Sequence, residues 1–314
     1  MRSRWLAVVA MSGLWVGCGG PAAEALNKYK AASLASETDV KEWAERSSAP
    51  KIYAISISQT SHVNQLVNSD EMDPNCPVET KDGKTRRFTG GCTAKNGVKW
   101  LGSMELVIEG EGEVTDNFRS TYDGFGYQST LHCEDKTAQL GMVLHGSSAL
   151  TGSKAKKEFA LDLRVESSVL GDLDSNPCDP VHFAGAWEYK GTVDGAGSSL
   201  VEGKQIWNGS GRFGYEERGL VEVVTKDEVL DASVCDEEAA SGSTTIKSGG
   251  HTAVITYDGA TDCEEARTVQ WSLDGKASGE LEDVSCSAAS GPTFAAWSLA
   301  LLGALGLMRR RARR

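Results

Sequence analysis

The turn dipeptides constrain the fold of this chain more than any other feature. Asp-Gly and Asn-Gly pairs recur between apolar segments, and six of them mark candidate turns. These pairs are 82–83, 96–97, 123–124, 194–195, 258–259 and 274–275. Asp, Asn and Gly tolerate the positive φ angles that tight hairpin turns require. The sequence therefore predicts a series of antiparallel hairpins.

The segments between these turns have the alternating apolar pattern of strands. Candidate strands are 51–57, 98–109, 127–133, 139–145, 158–166, 186–193, 220–225, 252–257 and 268–273. One short helix is expected at 60–67, capped by Thr60 or Ser61. No long amphipathic helix is evident that could make parallel crossovers. We predict an all-β antiparallel meander that forms a barrel or a sandwich, with a short N-terminal helical lead and a C-terminal apolar helix.

Residues 19–50 differ in composition from the β body, which we place at 51–286. Ala, Glu and Lys dominate this segment, and its larger apolar residues recur at loosely helical spacing. These residues are Leu26, Tyr29, Leu34, Val40 and Trp43. The pattern is typical of a linker or a marginal helix that precedes a domain.

A faint repeat of about 86 residues runs through the body. Cys92, Cys178 and Cys263 are each followed by a Trp (Trp100, Trp187, Trp271) and then by a Gly (Gly102, Gly191, Gly275), and Phe125-Gly126-Tyr127 recurs as Phe213-Gly214-Tyr215. Repeats on this scale usually mark structural units rather than an active site. We therefore interpret the three Trp residues as core residues rather than a ligand platform.

The body contains an even set of six cysteines, which in an exported chain is typical of disulfides. They are Cys76, Cys92, Cys133, Cys178, Cys235 and Cys263. Such a set indicates disulfides, and six cysteines allow 15 pairings. We favour the sequential pairs 76–92, 133–178 and 235–263, because hairpins bring neighbouring cysteines together first. The absence of a C-x-x-C pair argues against a thiolate zinc site.

The N-terminus has the order of a secretory signal. Arg2 and Arg4 precede an apolar run at 5–16, and Gly17-Cys18 follows directly. This arrangement resembles a bacterial lipobox, which implies that Cys18 is acylated and becomes the mature N-terminus. The alternative is ordinary cleavage after 23–25, with Cys18 discarded.

The C-terminus combines a cysteine, an apolar run and a basic end. Cys286 precedes a small-residue spacer, an apolar run at 293–308 and five arginines, among them Arg309, Arg310 and Arg311. The segment resembles the MYXO-CTERM sorting signal of myxobacterial surface proteins. That resemblance implies cleavage of residues 287–314 and display at the cell surface. The alternative is a plain membrane anchor, although 16 apolar residues fall short of the roughly 20 that a span needs.

The net charge of the body limits the kinds of partner that it can bind. The two ends hold seven of the 32 basic residues and none of the 44 acidic ones, so the body carries a net charge of −19. Such a body repels nucleic acid and anionic headgroups. The expected partners are the membrane, through either terminal segment, the export and sorting machinery, and an unknown partner at the surface.

The sequence contains few motifs that are typical of catalytic, cofactor-binding or metal-binding sites. We find no metalloprotease, nucleophile-elbow or P-loop pattern, and no cofactor is expected. Gly209, Gly211 and Gly214 match the dinucleotide fingerprint but lead into a strand rather than a helix. The five histidines (His62, His132, His145, His182, His251) lack ligand spacing.

A weak calcium candidate is formed by Asp172, Asp174, Asn176 and Asp179, which alternate oxygen ligands. Asp70, Asp73 and Asn75 make a similar cluster. The competing interpretation of both is a polar turn beside a disulfide, because Pro177 stands where a calcium loop needs Gly.

These observations predict an exported lipoprotein at the outer membrane or cell surface. Its expected role is structural or interactive, as an adhesin-like or envelope component. The alternative is an extracytoplasmic hydrolase whose site residues are dispersed along the chain.

Overall fold

The computed structural model of the chain describes most of the body. The described residues are 19–55, 73, 75–109, 117–133, 136–170, 180–195, 203–231, 233–234, 238–259, 268–282 and 284. The predicted signal segment, the helix at 60–67 and the C-terminal segment lie outside these residues. Among the described residues, no helix is long and apolar enough to cross a membrane.

Two short helices precede fourteen strands. The helices are α1 (Pro21–Leu26) and α2 (Glu37–Ser47), and residues 49–55 are also helical. The strands are β1 (Val78–Asp82), β2 (Thr85–Thr89), β3 (Cys92–Thr93), β4 (Lys99–Glu109), β5 (Asn117–Cys133), β6 (Lys136–Gly152), β7 (Lys156–Leu170), β8 (Pro180–Asp194), β9 (Lys204–Tyr215), β10 (Gly219–Asp231), β11 (Ser241–Ser248), β12 (His251–Tyr257), β13 (Thr268–Leu273) and β14 (Ala277–Glu282).

The strands form one antiparallel meander. Each strand pairs with its neighbours in the chain, except that β2 pairs with β4 and β3 adds to β4. This arrangement confirms the predicted all-β antiparallel class. The described strands form a single open sheet that runs from β1 to β14, so the predicted barrel is not closed among these strands. One continuous core takes residues from α2 and from β2 to β14, so the sheet curves around it.

Eight of the nine predicted strands are present, and the exception is 51–57. Residues 49–55 are helical, and Ile52 and Tyr53 are both fully buried. The Tyr53 ring packs 5.2 Å from Phe159 and 5.6 Å from Trp207, measured between ring centroids. This long-range aromatic packing overrides the local β propensity of the isoleucines.

Most of the predicted turn pairs lie at turns or strand ends. The pairs at 82–83, 96–97 and 274–275 lie in hairpin turns, and 194–195 and 258–259 follow the ends of β8 and β12. The pair at 123–124 lies instead inside β5, where the pairing with β6 shifts between Tyr122 and Phe125. Gly124 has φ of 60° there. The dipeptide that favours a turn makes a bulge in a long strand at this point.

The N-terminal lead packs on both faces of the sheet. Ala22 and Leu26 of α1 form a small cluster with Ala186 of β8, on one face. The chain then passes β10, where the Ala32 amide donates to the Leu220 carbonyl at 3.1 Å. Trp43 of α2 is buried in the main core on the opposite face. We call the face that carries α2 and residues 49–55 the inner face.

The glycines of the rejected dinucleotide motif have a packing role in β9. A Cβ at Gly209 would lie 2.4 Å from the Tyr189 hydroxyl, and one at Gly211 would lie 2.1 Å from the Glu188 carbonyl oxygen. The strand therefore needs glycine for close approach by an aromatic ring and by the neighbouring backbone. β9 continues into β10 through a tight turn, so no helix follows the motif.

Candidate functional site

The three repeat tryptophans are core residues, as predicted. Trp100, Trp187 and Trp271 lie on β4, β8 and β13, and each is at least 94% buried. Their following glycines do not occupy equivalent places, since Gly102 and Gly191 lie inside strands and Gly275 lies in a turn. The Phe-Gly-Tyr motifs lie on the strand after the Trp in both copies. Trp100 pairs with Tyr127 and Trp187 with Phe213, so the two copies differ in register.

One predicted disulfide is present. Cys76 and Cys92 are bonded, with their Cα atoms 5.9 Å apart. Cys133 is the last residue of β5. Cys18, Cys178, Cys235, Cys263 and Cys286 lie outside the described residues, so the other two pairs and both modification sites stay predictions.

The calcium candidate at Asp172, Asp174, Asn176 and Asp179 also lies outside the described residues. Of the related cluster, Asp70 lies outside the described residues, and the Asp73 carboxylate accepts from the Asn75 amide at 3.0 Å and from the Lys95 amide at 3.3 Å. The Asn75 amide is the main reason that the pKa of Asp73 is lowered. No group of three or more His, Cys, Asp or Glu among the described residues could hold a metal ion.

The described histidines stay apart from one another along the sheet. His132, His145 and His182 lie on β5, β6 and β8. His251 Nδ1 lies 2.8 Å from Asp274 Oδ2, an exposed contact between the start of β12 and the turn after β13. This contact is the main cause of the lowered pKa of Asp274. His62 lies outside the described residues.

A groove with a volume of about 860 Å³ opens beside α2 and crosses β5 to β9. Tyr127 pairs with Met142, Met142 with Ser167, and Ser167 with Phe183. Directly paired residues share a face of a sheet. The Phe183 ring lies 5.2 Å from the Tyr215 ring, which in turn contacts Trp43 of α2. These side chains therefore line the inner face.

Arg46 of α2 supplies a positive charge at the wall of this groove. Its guanidinium carbon lies 5.3 Å from the centre of the Tyr215 ring, within cation–π range. Its Nη2 is 3.9 Å from Glu42 Oε1, and its buried Nε has no hydrogen-bond partner among the described residues. Glu42 makes a much closer ion pair with Arg218, from the turn between β9 and β10. Arg46 is therefore only partly compensated.

The phenols of the groove wall are desolvated. Burial raises the pKa of Tyr127 to about 12. Burial also raises the pKa of Tyr215, and the charge and the hydrogen bond of Arg46 oppose this effect. Both phenols therefore stay neutral at physiological pH and can donate or accept one hydrogen bond. Ser167 already donates to the Gly141 carbonyl oxygen, at 3.2 Å.

A buried carboxyl group lies elsewhere on the inner face. Glu228 follows Asp227, which has φ of 50°, at a bulge that shifts the pairing of β10 with β9 and β11. The bulge turns the fully buried Glu228 side chain inward, where Oε2 accepts from the Ala49 amide at 3.1 Å. Burial raises the pKa of Glu228 to about 8, against the Ala49 hydrogen bond and the Lys51 charge.

Sequence reasoning missed both of these places. The groove joins residues that are far apart in the chain, and Arg46 lies in the segment that we interpreted as a linker or marginal helix. A local signal for Glu228 exists only in retrospect: the buried residues of β10 alternate up to Thr225 and resume out of phase after the bulge. Comparison of the chain with family models, curated proteins and solved structures finds no match.

Proposed function

We propose that this protein is an exported domain, displayed at the cell surface, that binds a ligand in the groove beside α2. The observation that supports binding is the groove itself: about 860 Å³, walled by Tyr127, Phe183 and Tyr215, with Arg46 at its side. Its size falls in the range of roughly 300–1,000 Å³ that is typical of ligand sites. An apolar wall with a few polar groups is also typical of such sites.

The proposed location at the cell surface depends on the two terminal segments. Cys18 is the proposed lipid attachment site, and Cys286 with Arg309, Arg310 and Arg311 is the proposed sorting signal. Only Gly19 and Gly20 separate Cys18 from α1, which packs on the sheet. Two extended residues reach only about 7 Å. A lipid on Cys18 would therefore hold the body directly against the membrane surface.

Mass spectrometry of the two ends of the mature protein tests this location. We expect an acylated Cys18 at the N-terminus, a C-terminus near Cys286, and no peptide from residues 309–314. Cys286→Ala should leave the full-length chain in the inner membrane, because the processing site is lost. Intact Arg-containing C-termini in purified cell-surface protein would show that the tail is only an anchor.

The binding role is tested with fractionated envelope material. Polysaccharide, protein and small-molecule fractions are each titrated against the full-length protein, against Phe183→Ala in the groove, and against Val224→Ala. Val224 is a matched control because it is 49% exposed and lies outside the groove. We expect one fraction to bind the wild type and the control but not Phe183→Ala. If no fraction distinguishes the groove variant from the control, the proposed binding role is wrong.

One local arrangement supports a second candidate, an extracytoplasmic hydrolase. Ser168 of β7 pairs directly with His182 of β8, and Glu166 lies two residues away on the same face. Paired side chains lie within reach of each other, although the Ser168 hydroxyl donates to the Gln139 carbonyl oxygen at 2.8 Å. Labelling with a fluorophosphonate, lost in both Ser168→Ala and His182→Ala, would support hydrolysis. The absence of labelling in the wild type would contradict a serine nucleophile.

A further inference from the structure

Two arginines, Arg46 and Arg218, and three glutamates, Glu166, Glu216 and Glu217, line the groove. Glu42, the carboxylate nearest to Arg46 on α2, is held by Arg218. Glu166, which also borders the groove, is paired with Arg164. The Arg46 guanidinium also hydrogen-bonds the Tyr215 hydroxyl, and its Nε has no hydrogen-bond partner among the described residues, so its planar fork is only partly engaged. A guanidinium in this state is suited to binding a carboxylate through two parallel hydrogen bonds.

We propose that the groove binds a small amphipathic monocarboxylate, with its carboxylate on Arg46 and its apolar body against Phe183, Tyr215 and Met142. This inference rests on the proposed binding role of the groove and specifies the ligand. The ring centroids of Phe183 and Tyr215 are 5.2 Å apart, so the two rings present a continuous aromatic surface. Such a surface favours a flat apolar body through offset stacking and edge contacts.

Other ligand classes fit the groove less well. A cationic ligand that contacts Phe183 and Tyr215 would be repelled by Arg46, whereas Glu216 and Glu217 border the groove at the turn after β9. A polyanion would be repelled by the body, which has a net charge of −19 without its terminal segments. An extended peptide adds to a free sheet edge, but β5 to β9 are paired on both sides and offer no free edge. A small ligand with a single carboxylate on an apolar body can pair with Arg46, carries little negative charge, and needs no free sheet edge.

Three probes that share one apolar body test the charge requirement directly. These are 2-naphthoate, 2-naphthamide and 2-naphthylmethylammonium, titrated by calorimetry against the full-length protein in lipid nanodiscs, with empty nanodiscs as the blank. We expect 2-naphthoate to bind roughly tenfold or more tightly than 2-naphthamide, the factor of a charge-assisted hydrogen-bond pair. We expect 2-naphthylmethylammonium to bind most weakly.

Substitutions at Arg46 assign this preference to the guanidinium. Arg46→Gln should remove the difference between 2-naphthoate and 2-naphthamide, and Arg46→Lys should restore part of it. Arg87→Gln is the matched control, because Arg87 also forms an exposed ion pair, with Glu105 at 2.8 Å, but lies outside the groove. It should leave the preference unchanged. Near-ultraviolet circular dichroism checks that each variant is folded.

The outcomes separate this inference from the proposed function. If 2-naphthamide binds the wild type as tightly as 2-naphthoate, the groove binds apolar ligands but the carboxylate assignment is wrong. That comparison needs no variant, so it decides the point even where Arg46→Gln fails to fold. If none of the three probes binds, the monocarboxylate is again wrong. The envelope-fraction titration then decides separately whether the groove binds any ligand.

Discussion

The inner face of the sheet has two parts that differ in what covers them. Under residues 49–55, Tyr53, Phe159 and Trp207 form a closed aromatic cluster, and Glu228 is fully buried beside it. Beside α2, Phe183 and Tyr215 form a similar aromatic contact, but a cavity remains next to them. We call these the covered part and the open part. The same side-chain chemistry is closely packed where residues 49–55 cover it, and it lines a cavity beside α2.

The largest expected difference between the two parts is in stability. Trp207→Ala in the covered part should lower the free energy of unfolding by about 3–5 kcal/mol, because it leaves a large cavity in closed packing. Phe183→Ala in the open part should cost clearly less, since Phe183 is only partly buried and already borders a cavity. Urea unfolding of both variants measures the difference. Equal losses would mean that the open part is as closely packed as the covered part.

The second prediction concerns the ionisation of Glu228 in the covered part. Its pKa is about 8 in the folded chain, against 4.5 as the ordinary value. Folding therefore favours the protonated form. The stabilising contribution is complete below pH about 4.5 and is lost as pH rises through about 8. Glu228→Gln should remove this loss, so the stability of the variant relative to wild type should rise between these pH values, by on the order of 5 kcal/mol in total.

Unfolding curves measured at pH 4.5, 6, 7 and 8 for wild type and Glu228→Gln give this difference. Glu222→Gln is the control, because Glu222 lies exposed on the same strand and should leave the pH profile of the wild type unchanged. If Glu228→Gln has the same pH profile as the wild type, the carboxyl group is not desolvated. Residues 49–55 would then cover it less completely than the structure indicates.

The sequence predicted the meander because its signals are local. Turn pairs such as Asp274-Gly275 and alternating segments such as β12 need only a few residues to be recognised. The helix at residues 49–55 was missed because its stability comes from Tyr53 packing on distant strands. β9 was missed because its glycines serve ring packing rather than a turn.

The open part was not predictable for a different reason. Arg46, Phe183 and Tyr215 belong to three elements that meet only after the sheet has formed, and no local motif connects them. The groove is therefore a property of the tertiary structure rather than of any one segment.

The third prediction concerns strands that the helices do not reach. α1 and α2 make their main contacts with β6 to β11, whereas the Cys76–Cys92 disulfide holds the short strands at the start of the sheet. Replacing both cysteines with Ser should lower the free energy of unfolding by roughly 2–3 kcal/mol in the chain-entropy model. Thermal unfolding of the double variant measures this loss. An unchanged midpoint would mean that β1 to β4 need no covalent support.

Peptide mapping under non-reducing conditions should find the two remaining pairs as 133–178 and 235–263. The described strands that flank Cys133 and Cys178 meet at one end of the sheet, and those that flank Cys235 and Cys263 meet at the other. Strands of about 13 residues separate the two ends by roughly 40 Å. A disulfide needs Cα atoms within about 7 Å. A pair that joins the two ends would contradict the strand order, and a free thiol would contradict the predicted disulfides.

The smallest expected change in stability comes from Arg218 at the mouth of the open part. Arg218→Ala removes an exposed ion pair with Glu42 and should cost less than about 1 kcal/mol. Its effect on binding should be larger. Glu42 is then free to pair with Arg46, 3.9 Å away, and competes with the ligand carboxylate for the guanidinium. We expect 2-naphthoate to bind Arg218→Ala several-fold more weakly, while 2-naphthamide binding stays unchanged.

Arg87→Ala provides the comparison for this variant, because it removes a similarly exposed ion pair with Glu105 at a distance from the groove. It should match Arg218→Ala in stability and leave the binding of both probes unchanged. Equal weakening of both probes by Arg218→Ala would show that Arg218 supports the shape of the groove rather than its charge. Unchanged 2-naphthoate binding would show that Glu42 does not compete for Arg46. The difference between the covered and open parts would then depend on packing alone.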